Sequence, residues 1–175
     1  AMAGFTAPTI AWVRKHEPAI YDRIEKVLLP KAYVRLLMSG EHVEEMSDAS
    51  GTLWLDVARR DWSDALLAVT GLTRAHMPRL VEGSAPAGEL RRELKERWGM
   101  SGRVVIAGGA GDNAAAACGI GAIRPGDGFA SLGTSGVLFV SNDRFRPNTA
   151  GAVHAFCHAI PETWHQMGVI LSATD

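Results

Sequence analysis

One aspartate stands where acid–base chemistry could be done. Val104, Val105 and Ile106 run through Gly108, Gly109 and Gly111 into Asp112, then Asn113 and the helix-forming run Ala114 to Ala117. Three consecutive β-branched residues predict a strand buried on both faces, as in a parallel sheet. The glycines permit a sharp turn and close approach of a ligand to the backbone. Asp112 is expected at the N-cap of the following helix, where the dipole keeps its carboxylate ionised. Such a group can take a proton from a substrate hydroxyl, or it can simply cap the helix, which is the commoner role.

A second feature lies about two dozen residues on. Phe129 to Leu132 and Val137 to Val140 read as strands around Gly133-Thr134-Ser135-Gly136. Backbone N–H groups and hydroxyls on such a turn suit an anion such as a nucleotide phosphate, although an ordinary hairpin turn has the same composition. A general base and a phosphate cradle are the minimum that an enzyme phosphorylating a hydroxyl requires. His154, Cys157, His158 and His165 do not form a metal set: on a strand, residues four apart lie roughly 13 Å from each other. Asp48, Asp56, Asp61 and Asp64 read as turn formers and caps, and Trp12, Trp54, Trp62, Trp98 and Trp164 as packing residues.

The elements that must position these groups follow from periodicity. Helices are expected over 9–17, over 19–27 and over 31–38, with Pro18 and Ser39-Gly40 as punctuation. Val27 to Leu29 reads as a short strand or its approach. Residues 41–50, rich in Glu, Ser and Asp, are expected to be a surface loop, followed by a strand over 51–56 with Leu53 and Leu55 on one face. Ser63 should cap a helix carrying Leu66, Leu67 and Val69, closed by Gly71. A helical turn broken at Pro78, a loop over 81–88 and a helix over 89–98 with a buried Leu90, Leu94 and Trp98 stripe come next. Residues 124–128 are a turn cluster and the best domain boundary. Val153 to His158 and Thr163 to Leu171 read as two strands joined at Pro161.

Lys plus Arg (18) nearly balance Asp plus Glu (19) over 175 residues. No basic face stands out for nucleic acid, and the apolar runs are broken well short of a membrane span, so neither partner is indicated and the cytoplasm is the default. Cys118 and Cys157 are far apart, without a CxxC pair, and are expected as reduced core thiols. Both ends of the chain stop in mid-pattern and look cut.

Taken in order, six stretches resemble the FGGY family of carbohydrate kinases: Gly4 to Pro8 with Trp12; Leu28 to Lys31 with Tyr33 and Gly40; Ser47 to Asp56 with Asp61-Trp62-Ser63; Gly108 to Asn113; Ser131 to Gly136; and His154 to His158. The third and the last point to the xylulose-phosphorylating members. The resemblance implies an α/β, actin-like (ribonuclease-H-like) ATPase fold in part: residues 1–126 as the second half of the N-terminal sugar lobe and 127–175 as the start of the C-terminal ATP lobe. It implies Asp112 as catalytic base, Asn113, Phe5 and Val137 as sugar-binding positions, and Gly133, Thr134 and Ser135 on the ATP phosphates. ATP and Mg²⁺ are the implied cofactors, D-xylulose the implied acceptor with L-ribulose, glycerol or gluconate as alternatives, and a homodimer the implied assembly. Family members are far longer and carry an Asp-x-Gly-Thr phosphate loop, early sugar-binding residues and an adenosine site that have no counterpart here. The expectation is therefore a piece inactive by itself. A non-catalytic module of the same fold and a chaperone-type ATPase are the competing readings. Relatives often run glycines directly into the aspartate, whereas Ala110 interrupts them here.

Overall fold

The computed structural model describes residues 4–173. Helix α1 (Thr6–His16) ends on Arg14, Lys15 and His16, which complement the negative end of its dipole. Pro18 opens α2 (Pro18–Tyr21) at a position where a missing N–H costs nothing. The helix expected to reach Val27 stops at Tyr21, and no strand follows it. Instead Val27 N donates to His76 O at 2.9 Å, while Lys26 Nζ donates to Ala75 O at 2.6 Å and Met77 O at 3.2 Å. These long-range bonds tie the segment to residues 75–77 in place of helical ones. Helix α3 (Pro30–Ser39) again begins on proline and is closed by Gly40 at φ 84°.

Residues 41–50 depart furthest from expectation. They form β1 (Val43–Glu45) and α4 (Met46–Ser50), and Val43 to Glu45 are buried throughout. The strand over 51–56 shortens to β2 (Leu55–Asp56), because Leu53 adopts φ 67° and turns Trp54 into the core. Strand β2 pairs antiparallel with β3 (Asp61–Trp62). Ser63 caps α5 (Asp64–Val69) as expected, its Oγ accepting from Leu66 N. Strand β4 (Arg79–Val81) lies parallel to β1, with Val43 opposite Arg79. Part of the expected 81–88 loop is β5 (Pro86–Glu89), and the next helix, α6 (Arg92–Arg97), is shorter than its pattern and buries no residue.

Strand β6 (Val105–Ala107) pairs antiparallel with β5 and, among the described residues, with no other strand. The expectation of burial on both faces fails, since no layer covers Val105, which is 45% exposed. After the glycine turn, α7 (Asp112–Ile120) ends at Gly121, φ 79°. The remaining strands match their predicted places: β7 (Gly128–Leu132), β8 (Gly136–Asn142), β9 (His154–Cys157) and β10 (Trp164–Ile170) make one antiparallel sheet in the order β7-β8-β10-β9.

The main core gathers Trp54, Leu55, Trp62, Leu67, Leu72 and Met77, with Cys157 brought in from β9. Each large indole inside finds an acceptor: Trp54 Nε1 on Thr70 Oγ1 at 3.1 Å and Trp62 Nε1 on Pro78 O at 2.9 Å. Trp164, at the sheet, donates to Val57 O at 2.8 Å. Trp12 and Trp98, expected as packing residues, are exposed, Trp12 stacking on His16. Both cysteines are free, but Cys118 is exposed rather than packed. Burial pushes the Cys157 thiol up to about 11.

Beside this core lies one carboxyl group without a full set of partners. Glu44 is buried; its Oε1 accepts from Glu45 N at 2.9 Å, and Oε2 has no partner. Val27, Leu29, Trp54, Trp62 and Met77 surround it in a narrow gap. Burial raises the Glu44 carboxyl from 4.5 to about 7, against the lowering effect of the Glu45 N–H. The protonated form is thus favoured on folding, and the stability it contributes is complete below pH 4.5 and lost as pH rises through 7. Glu44→Gln should therefore gain stability relative to the parent by up to about 3 kcal/mol between pH 5 and pH 8, which paired urea titrations at the two pH values would measure. A pH-independent difference would contradict it.

Candidate active site

The turn that delivers Asp112 is clamped along its length. Gly108 N donates to Ala85 O at 3.0 Å and Gly109 N to Gly83 O at 2.9 Å. Arg35, buried on α3, donates through Nη1 to Val43 O at 2.7 Å and through Nη2 to Gly108 O. A side chain at Gly108 would place Cβ 2.5 Å from Glu82 O, and Gly109 holds φ 78°, so both positions require glycine. The turn ends at Gly111, which occupies the N-cap position of α7, and Asp112 is the first helical residue instead of the cap. Its Oδ1 accepts from Asn113 N at 2.7 Å and from Asn113 Nδ2 at 3.1 Å.

Gly111 N is itself held by Ser47 Oγ, at 2.8 Å. Ser47 in turn donates from Oγ to the Glu45 carboxylate, at 2.7 and 2.9 Å to its two oxygens. Glu45 is fully buried, and its remaining lone pairs accept from Ser47 N at 2.8 Å, Asp48 N at 2.7 Å and Lys31 Nζ at 2.7 Å. Lys31 also lies 3.2 Å from Asp48 Oδ2 and 3.9 Å from Glu44 Oε1. Glu44, Glu45 and Asp48 thus bring carboxylate oxygens within 4.8 Å of one another. The trio does not fit a divalent cation, because the Lys31 ammonium already sits against all three and the Glu45 oxygens are spoken for. At the far end of α4, Ser50 Oγ accepts from Cys157 N at 3.0 Å and ties the helix to β9.

A cavity of about 150 Å³ opens where these elements meet. Ser47, Asp48 and Gly51 line one side, Gly111 to Ala114 the floor, and Phe156, His165 and Met167 of the sheet the other. The sheet side is aromatic: His165 stacks on Phe139 at 4.3 Å and meets Phe156 and His158 edge-on. Burial pushes His165 down to about 3, with the neighbouring His158 adding to the effect, so its imidazole is neutral. The resulting cleft offers one carboxylate at a helix start, a second from Asp48 and an apolar platform, with room for a small polar molecule.

Of the residues singled out in the sequence, Asp112 and Asn113 share this cavity. Phe5 stands at its edge, its ring 6.4 Å from Phe156 and 5.4 Å from His154. Val137 lies elsewhere, opposite Val169 in the sheet and lining a larger apolar cavity of about 590 Å³ with Leu132 and Ile170. Gly133, Thr134 and Ser135 form the exposed turn between β7 and β8, with Gly133 N bonded to Ser135 O at 3.0 Å and Thr134 O accepting from Ala173 N at 2.8 Å. In the sequence alone, Lys31, Glu45, Ser47 and Phe156 have no role of their own, Asp48 reads as a turn former or cap, and His165 is considered only to set aside a metal site. Lys31, Ser47, Asp48 and Phe156 fall inside the resembling stretches, which was the available signal. Asp56, Asp61 and Asp64 lie outside this cavity: half-buried Asp56 accepts through Oδ1 from Arg59 N, and the exposed Asp61 and Asp64 hold Arg74.

Residues 1–119 match the N-terminal domain of the FGGY family of carbohydrate kinases. The chain belongs to this family. The xylulose kinase of Escherichia coli strain K12 is 54% identical to it over 174 residues, covering 99% of this chain and 36% of that protein. The xylulose kinase of Klebsiella pneumoniae is related to the same degree. Among solved structures, a xyloylose kinase from Brucella ovis matches with a TM-score of 0.96 at 59% identity, covering 97% of this chain and 35% of that one. A xylulose kinase from Rhodospirillum rubrum, at 22% identity and a TM-score of 0.89, attests the fold. The FGGY chain described here therefore holds part of the actin-like ATPase fold and spans about 36% of the length of these curated relatives. No helix among its described residues is long and apolar enough to cross a membrane.

The Lys31–Glu45 pair can be tested directly for stability. Removing the cation leaves a fully buried carboxylate uncompensated, so Lys31→Met should destabilise the fold by about 3 kcal/mol in urea unfolding. Adding Glu45→Gln should recover part of the loss. Equal stability of Lys31→Met and the parent would mean that the pair is not coupled.

Proposed function

We propose that this chain forms the reaction-centre part of an FGGY kinase that transfers the terminal phosphoryl group of ATP to the 5-hydroxyl of D-xylulose. The observation that carries the reading is the Asp112 carboxylate, held on a clamped turn at the positive end of α7 and facing a small cavity with an apolar wall. The xylulose kinases among the similar proteins supply the sugar.

Asp112 accepts the proton of the sugar hydroxyl as that oxygen attacks the phosphorus. The new O–P bond forms as the bond to ADP breaks, and ADP leaves with the electron pair. Asn113, which donates to Asp112 Oδ1, orients the carboxylate and faces the sugar. The exposed turn of Gly133, Thr134 and Ser135 receives the ATP phosphates through its hydroxyls and amides other than that of Gly133, which is bonded to Ser135 O. Phe5, beside Phe156, borders the sugar site. Val137, lining a different cavity, reaches sugar only from that side. Mg²⁺ bound with ATP neutralises phosphate charge. Residues 1–126 act as the sugar-side lobe and 127–175 as the start of the ATP-side lobe. The active protein is a cytoplasmic homodimer, and the 175-residue chain does not turn over by itself.

A coupled ADP-release assay tests this on the polypeptide that carries the chain at its relatives' length, offering D-xylulose, L-ribulose, glycerol and gluconate in parallel. D-xylulose should be the strongly preferred acceptor, and Asp112→Asn should lose about 10² or more in turnover. Preference for another acceptor would reassign the substrate. Turnover untouched by the variant would reduce Asp112 to a helix-terminus residue and favour a non-catalytic site. Sugar-dependent ADP release from the 175-residue chain alone would refute its inactivity.

A further inference from the structure

The base of a phosphoryl transfer must be placed to within a fraction of an ångström, because catalysis there is almost entirely positioning and electrostatics. An exposed aspartate at the start of a helix is not so placed by its own packing. Among the described residues, the Asp112 side chain bonds only to the adjacent Asn113, which moves with it. What fixes the pair in space is the preceding residue, whose amide reaches out of the turn to another element.

From this geometry we infer that Ser47 is a positioning residue for Asp112, acting through the Gly111 amide, with the Lys31–Glu45 pair holding the Ser47 hydroxyl in the orientation that makes this possible. The inference deepens the kinase reading and rests on Asp112 being the base.

The hydroxyl chemistry makes the arrangement directional. A serine hydroxyl has one proton and two lone pairs. The Ser47 proton goes to the Glu45 carboxylate, which accepts but does not donate, so its lone pairs are left facing Gly111 N at 2.8 Å. Glu45 cannot rotate away, because Ser47 N, Asp48 N and Lys31 Nζ occupy its other acceptor sites. Ser47 and Glu45 are both buried, so bulk water is kept from competing for these bonds. The first and last glycines of the turn are thereby anchored from one side: Gly108 O on Arg35 and Gly111 N on Ser47. Asp112, one peptide unit beyond the second anchor, inherits that placement. Ser47 also lines the cavity, so the anchor and the reacting centre are neighbours.

The test uses steady-state kinetics with D-xylulose and ATP on the polypeptide of full relative length, comparing Ser47→Ala, Ser47→Thr, Glu45→Gln and Asp112→Asn with the parent. Ser47→Ala should lower kcat about 10- to 100-fold with the sugar KM changed less than about threefold, and Ser47→Thr, which keeps the hydroxyl, should restore most of the rate. General loosening of the fold would raise KM as well and would not be rescued by threonine. Loss of kcat in Ser47→Ala with no recovery in a folded Ser47→Thr, or a kcat for Ser47→Ala within twofold of the parent, overturns the inference. Should Ser47→Ala not fold, Glu45→Gln decides, since it keeps the side-chain volume and the Ser47 hydroxyl: a kcat reduced severalfold supports the inference and an unchanged one overturns it. Full activity in Asp112→Asn would instead remove the base reading on which the inference rests, an outcome distinct from the others.

Discussion

A carboxylate with no access to water has to be met on every side, and the placement of Glu45 imposes that constraint on the whole first half of the molecule. Its partners come from α3, from α4 and from its own backbone vicinity, and the hydroxyl it orients reaches the turn before α7. Helix α3, strand β1 and helix α4 converge on one buried charge, and through Ser47 it reaches a turn 64 residues further on. The neighbouring Arg35 works in the same way with the sign reversed, buried among carbonyl oxygens of β1 and the glycine turn. Polar groups in this core specify where backbone segments lie, a task that non-directional apolar packing does less sharply.

The opposite side of the cleft is built by different physics. Phe139, Phe156, His158 and His165 pack ring against ring on an antiparallel sheet, and burial keeps the imidazoles neutral. A charged, bond-directed wall therefore faces an aromatic, desolvated one, with Asp112 between them. A sugar presents the same duality, with hydroxyls around an apolar carbon frame, which is the chemical match behind the proposed acceptor.

Several of these features were legible in the sequence because their causes are local. Gly40, Gly121 and Ser63 mark helix ends through their own conformational or capping preferences, and the strands from Phe129 to Ile170 follow from alternation and turn residues. Asp112 and Asn113 were found because strand, glycine turn and helix occur in one short window. Residues 41–50 misled for the opposite reason. Three glutamates, two serines and an aspartate read as a wet loop in any window that omits Lys31 and Gly111, and those partners lie 14 and 64 residues from Glu45 and Ser47. Strand β6 misled because β-branched residues report a preference for extended backbone and not what covers it; Val105 remains open beside a partner strand carrying Pro86 and Gly88.

The five-residue helix α4 has one more consequence, for the order in which the molecule assembles. Its two hydroxyls are bonded across 64 residues, from Ser47 to Gly111, and across 107 residues, from Ser50 to Cys157. Contacts so far apart in sequence bear the entropy of closing long loops before they return any stabilisation. On a ribosome the Lys31–Glu45 pair can form early, while the two serines wait for segments not yet synthesised. The cleft is therefore a late product of folding, completed only when the last strands of the sheet dock.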